Sequence, residues 1–180
     1  MYFIFNYQNY FGNPEYIIIF AGKKDMVKHL FQPTGHSCGP TCIKMLVENS
    51  PSIEEICDIC GTDWKVGTPP DRMKKGLDHL RVKYVEHISE SNPYKSLRDV
   101  LDKGNYGIIR TIIGKVPHWI LAVGYNSKYL TVSNFIIYDP IMGERLYNEK
   151  QLEKIWKVRD YYFLEIFIPY DIERRDNPNP

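Results

Sequence analysis

The stretch Gln32-Pro33-Thr34-Gly35-His36-Ser37-Cys38-Gly39-Pro40-Thr41-Cys42 decides how the chain is read. Its first half is turn chemistry, with Pro and Gly set among Thr, His and Ser. Its second half changes period: Cys42, Met45 and Leu46 continue at helical spacing to about Glu48. A loop therefore runs into a helix, with Cys38 at the helix start. Backbone N–H groups at that end lack intrahelical partners and favour negative charge. A thiol there ionises more readily, and the thiolate is the reactive form.

Upstream, residues 2–7 and 16–20 are aromatic and β-branched runs around Gly12-Asn13-Pro14, which predicts two strands and a turn. Downstream, Ser52 and Glu55 have capping-box spacing. Ile53, Ile56, Cys57 and Cys60 then form one apolar stripe, ended by Gly61. Thr68-Pro69 opens a third helix with Met73, Leu77 and Leu80 on its stripe. Residues 82–88 read as a strand, and Asn92-Pro93 starts a fourth helix stopped by Gly104. From there strands are expected at 107–113, 118–125, 129–138 and 161–168. Turns fall at 114–117 and 126–128, and a short helix at 148–156. Helices first and strands second predict an α+β fold, helices packed on an antiparallel sheet. Residues 1–170 are expected to form one domain, with 1–30 a strand extension whose role the sequence leaves open, and 171–180 a disordered tail.

Composition narrows the function classes. The 180 residues carry 23 Lys and Arg against 22 Asp and Glu, so no global charge draws the chain to nucleic acid or an anionic membrane. At 43% hydrophobic residues it is too apolar for disorder, yet no window of 18 uninterrupted apolar residues exists to span a bilayer. No basic region precedes the apolar residues 1–5, and Asn6, Gln8 and Asn9 break the run, unlike a signal peptide. Four cysteines are too sparse for a disulfide scaffold. A reducing, cytoplasmic setting is expected, with export by a route lacking a signal peptide left open.

A reactive thiol needs a base, a group to orient the base, and an oxyanion donor. His118 is the candidate base, because it opens an apolar strand after Pro117. His29 in a polar connector, His79 on a helix and His87 near a strand end are weaker, and read as surface residues in the last two cases. His36 is too close along the loop to aim at the Cys38 sulfur. Asp139 is the candidate orienter, where the strand 129–138 ends before Pro140, with Asn134 in reserve. Two neighbouring antiparallel strands would bring the start of one near the end of the next. Gln32, six residues before Cys38, is the candidate oxyanion donor together with the Cys38 N–H.

Three motifs in this order carry a resemblance. Gln32…His36-Ser37-Cys38-Gly39-Pro40-Thr41, Pro117-His118-Trp119-Ile120-Leu121-Ala122-Val123-Gly124-Tyr125, and Tyr138-Asp139-Pro140 resemble papain-like cysteine peptidases. The branch they resemble is the bacteriocin-processing, double-glycine leader peptidase family and its stand-alone peptidase-like relatives. Gly143, Tyr147 and Trp156 look like the segment that follows Asp-Pro in those relatives. The resemblance covers about Gln32 to Phe167. Ser37 stands where the family usually has Asp, and neither the membrane helices nor the ATPase of the exporters is present.

The resemblance implies a papain-like fold, with Cys38 on a helix packed against a sheet that carries His118 and Asp139. It implies a cysteine peptidase acting on a peptide or protein through Cys38, His118, Asp139 and Gln32, with no metal or organic cofactor. Rival readings are an acyltransferase or deamidase using the same residues, and a non-catalytic binding module of the same fold. Cys42 reads as core. A zinc site from Cys38, Cys42, Cys57 and Cys60 is the minor alternative to two apolar helix faces. Trp119 either covers the imidazole or is simply core. The sequence leaves the oligomeric state open.

Overall fold

The computed structural model describes residues 16–20, 27–47, 51–88, 91–128 and 131–167. The expected strand at 2–7, the turn at 12–14 and the tail 171–180 lie outside the described residues. Helix α1 is Cys38–Leu46, and every residue in it except Lys44 is buried. A helix apolar on all sides belongs at the centre of a fold. Helix α2, Ile53–Cys60, starts with the expected capping box of Ser52 and Glu55 and ends on Gly61 at φ 69°. Its buried stripe is narrower than expected, Ile56 and Cys60, with Ile53 and Cys57 half-buried.

Helix α3, Pro70–His79, begins on Pro70 with Pro69 as its N-cap. It packs on α2 so closely that a Cβ on Gly76 would lie 2.3 Å from Cys60 Sγ. Helix α4, Pro93–Asp102, is capped by the Asn92 side chain, which accepts from the Lys95 N–H. Helix α5, Glu149–Trp156, is opened by a second capping box, Asn148 with Gln151. Among the described residues no helix is long and apolar enough to cross a membrane.

The strands are β1 (Tyr16–Phe20), β2 (Lys83–His87), β3 (Tyr106–Ile113), β4 (Val116–Lys128), β5 (Thr131–Asp139), β6 (Gly143–Tyr147) and β7 (Phe163–Phe167). They form one antiparallel sheet in the order β2-β7-β3-β4-β5-β6, with β1 beside β4. Strand β4 is the spine. Its first half, Val116–Ala122, pairs with β3, and its second half, from Gly124 to Lys128, pairs with β1 on one side and β5 on the other.

Two turn expectations are corrected. Residues 126–128 are strand: their polar side chains signalled a turn, but backbone pairing to β1 and β5 on both sides holds them in the sheet. Val116 and Pro117 also belong to β4, where it is paired only with β3, a place that tolerates a missing N–H. Strand β6 was not expected, because Gly-Glu-Arg-Leu-Tyr alternates weakly, yet it forms a hairpin with β5 across residues 140–142. The last strand starts at Phe163 rather than 161, since a 3-10 turn at Lys157–Arg159 and left-handed Asp160 and Tyr161 precede it. One hydrophobic core joins residues of all five helices to β3, β4, β5 and β7.

Candidate active site

Cys38 is the first residue of α1 and is 6% exposed. The loop before it is held by Ser37, which is fully buried. Ser37 Oγ accepts from the Thr34 N–H (3.2 Å) and Thr34 Oγ1 (3.0 Å), and donates to the Thr34 carbonyl (3.1 Å). The serine at this position thus ties the turn that presents the thiol. Gly39 sits in tight packing. A Cβ there would lie 3.1 Å from Met73 Sδ, Thr68 Cβ and Trp119 Cδ1. Trp119 is buried, its indole N–H donates to the Thr68 carbonyl at 2.6 Å, and its ring lines a cleft together with Cys38.

The antiparallel pairing of β4 and β5 brings His118, near the start of one, to Asp139, at the end of the other. Both are buried. His118 Nε2 lies 2.9 Å from Asp139 Oδ1. The same oxygen accepts from the backbone N–H groups of Ile141 (2.8 Å) and Met142 (3.1 Å), which fixes the carboxylate at the β5–β6 turn. His118 also hydrogen-bonds Cys38, and with Nε2 on Asp139 the nitrogen left for the thiol is Nδ1.

Charge follows this geometry. Burial alone would push the His118 imidazole down, but its bonds to Asp139 and Cys38 outweigh burial and raise it to about 9. Burial would push the Asp139 carboxyl up, but His118 and the two backbone N–H groups hold it below the ordinary carboxylate range. The other thiols resist ionisation. Burial drives Cys42 well up, with Cys38 and Asp139 adding to it, and burial raises Cys57 and lifts Cys60 to about 12. All four cysteines are free. Among the described residues no group of three or more His, Cys, Asp or Glu side chains is arranged to hold a metal ion.

Gln32 is drawn to the site through its backbone. Its N–H donates to the Pro140 carbonyl at 2.9 Å, beside Asp139. Its side-chain Nε2 donates to the Thr34 carbonyl at 2.5 Å, while the buried Oε1 has no partner. The second amide proton has no hydrogen-bond partner among the described residues. Asn134, held in reserve as orienter, lies away from the imidazole, opposite Asn126, with Nδ2 3.4 Å from its Oδ1. His36 is half-buried on the cleft wall, and His79 is exposed. His87 is no surface residue: it is half-buried, stacked on Phe163 at 4.3 Å and paired with Glu165 at 3.1 Å. Sequence reasoning missed His29, whose Nε2 lies 2.8 Å from the Asp139 carbonyl, and whose ring meets Phe31 and Tyr138 edge-on. Nothing in a polar connector signals that contact.

The cleft over Cys38 opens between the β3–β4 turn and the loop closed by the Asp63–Gly67 bridge. Its rim carries exposed Trp64, Val66 and Val116.

No family model matches the sequence, and no curated protein matches it in sequence. Solved structures do match in three dimensions. The peptidase domain of Streptococcus ComA, a bi-functional ABC transporter of a quorum-sensing pathway, aligns over 78% of this chain and 96% of its own, with a TM-score of 0.61 and 17% identity. A double-glycine-motif protease from an AMS/PCAT transporter, in complex with the leader peptide, aligns over 83% and 98%, at 0.61 and 14%. A Bacillus anthracis protein designated a C39-like peptidase aligns over 84% and 98%, at 0.63 and 12%. The fold is that of the C39 papain-like peptidase domains. Within it, the α1 start, β4 and the end of β5 bring Cys38, His118 and Asp139 together.

Proposed function

We propose that the protein is a cysteine peptidase that hydrolyses a peptide or isopeptide bond. The observation that carries this reading is buried His118, hydrogen-bonded to Asp139 on one side and on the other to Cys38, which lines a cleft. Cys38 sulfur attacks the carbonyl carbon while its proton passes to His118 Nδ1. Asp139 fixes the tautomer and balances the imidazolium charge. The Cys38 backbone N–H and the free amide proton of Gln32 receive the oxyanion. His118 then gives its proton to the leaving amine, and the C–N bond breaks to leave a thioester. Water, deprotonated by His118, attacks the thioester and restores the thiol. A reducing, cytoplasmic setting suits a reaction that depends on a free thiol.

A peptide is the substrate class that the fold neighbours support, one of which holds a leader peptide. The test has two parts. Limiting iodoacetamide at neutral pH should label Cys38 before Cys42, Cys57 and Cys60, because those three are held protonated. A proteome-derived peptide library should be cleaved by the native protein and left intact by Cys38→Ala and by His118→Ala. Mass analysis of the products separates hydrolysis from acyl transfer or deamidation. Cleavage that persists in Cys38→Ala overturns the reading.

A further inference from the structure

The cleft beside Cys38 is cationic in a chain that is almost neutral overall. Lys65 and Arg110 line it, and no Asp or Glu does. Lys65 lies over the Trp64 ring at 5.1 Å, on the rim. Arg110 stands on β3 opposite Trp119 of β4, half-buried. Among the described residues its guanidinium has no ion pair and no hydrogen bond. Burial lowers its pKa from the ordinary arginine value, and the like charge of Arg159 lowers it further.

Arg159 is brought there by the backbone. The Arg110 N–H donates to the Tyr162 carbonyl at 3.1 Å, and the Tyr162 N–H donates to the Arg159 carbonyl at 2.9 Å. Arg159 Nε is buried and without a partner. Of the groups whose charge acts on Arg110, none makes an ion pair with it among the described residues. Tyr162 gives its hydroxyl to Glu86 at 2.6 Å, and Asp71, on the exposed first turn of α3, acts on Arg110 less than burial, Arg159 and Tyr162 do. Two guanidiniums that repel each other, one lining the cleft with Cys38 and the other with a buried orphan donor, are costly to keep without a counter-charge. A carboxylate can take two parallel N–H donors from such a group.

We propose that Arg110, which lines the cleft with Cys38 and is supported by the neighbouring charge of Arg159, forms a carboxylate-binding subsite, so that the substrate is a peptide carrying an acidic group within a few residues of the cleaved bond. The inference rests on the peptidase reading for its link to turnover. The carboxylate has two possible sources, an Asp or Glu side chain or the terminal carboxylate of a short peptide.

The test cleaves one peptide library with the native protein, Arg110→Gln and Arg159→Gln. With the native protein, cleavage sites should show Asp or Glu at one fixed offset if the side chain is bound. If the terminus is bound, they should fall at one fixed distance from the C-terminus. In either case, converting the library's carboxylates to amides should slow cleavage about 10-fold or more. Both variants should shrink that ratio towards one, with Arg110→Lys keeping part of it. Cleavage that ignores acidic groups, with the same pattern in both variants, overturns the subsite and leaves the peptidase reading intact. Absence of all cleavage counts against the peptidase reading. The subsite is then judged by titrating ¹⁵N-labelled protein with N-acetylglutamate amide. Shifts of the Arg110 and Arg159 Nε–H signals, absent with N-acetylglutamine amide, support it, and unmoved signals overturn it.

Discussion

At the scale of single residues, the site is organised around the proton on His118. The imidazole has an ordinary pKa of 6.5 and is raised to about 9 against the opposing effect of burial, by Asp139 and Cys38. In the proposed reaction its proton releases the leaving amine, so the rate of peptide hydrolysis should hold to about pH 9 and fall above it. Asp139→Asn removes the charge that lifts the imidazole, and the alkaline limb should move to lower pH in kcat/KM profiles. An unmoved limb would separate Asp139 from the reaction. The same shift enters stability. A raised folded pKa means that the native state binds this proton more tightly. That part of the stability is full below pH 6.5 and lost as pH rises through about 9. Asp139, held low, contributes in the opposite sense, above its ordinary 3.8, and the gain is lost as pH falls through its lower folded value. Melting of native protein and His118→Ala at pH 6 and pH 10 should show the larger alkaline loss in the native chain. Gln32→Ala should cut turnover about 10²–10³-fold with little change in KM if its free amide proton meets the oxyanion. A less stable but fully active variant would assign the Gln32 side chain only to its loop bond with Thr34.

At the scale of elements, α2 and α3 meet through Gly76, where the Cys60 thiol occupies the space a methyl group would need. Gly76→Ala should cost about 1–3 kcal/mol in denaturant unfolding. Cys60→Ala in the same chain should recover much of that loss, whereas additive losses would show that the contact is not the cause. The elements were legible where one signal sufficed. Ser52 with Glu55, Asn92 before Pro93, and the apolar runs of β3 and β5 announce themselves in the sequence. So did the placing of Cys38 at a helix start, because loop chemistry gives way abruptly to a helical period. Strand ends were not legible. Asn126, Ser127 and Lys128 read as a turn because their side chains are polar, while their backbone is paired on both sides. Likewise His87 reads as surface because its partner, Glu165, lies 78 residues away. Side-chain patterns record burial well and backbone pairing poorly, and long-range polar partners leave no local mark.

At the scale of the molecule, β1 continues the row that β3 begins along β4, filling the edge from Gly124 to Lys128 that β3 leaves open. An uncovered strand edge invites pairing with other chains. Proline at Ile18, which faces Asn126, would interrupt that ladder. Ile18→Pro should lower stability by about 1–2 kcal/mol and promote self-association in light scattering. Unchanged melting and a monodisperse variant would show that β1 adds nothing to the sheet.

Cys38 and its partner side chains come from distant parts of the chain, and the bonds from residues 29 and 32 to residues 139 and 140 help tie the two parts together. During synthesis Cys38 therefore leaves the ribosome roughly 100 residues before Asp139, on the order of 5–20 s at ordinary elongation rates. For most of that interval the nascent chain carries the thiol without His118, and throughout it without Asp139. The newborn polypeptide carries an isolated thiol until the sheet closes, and the meeting of Cys38 with His118 and Asp139 marks completion of the fold.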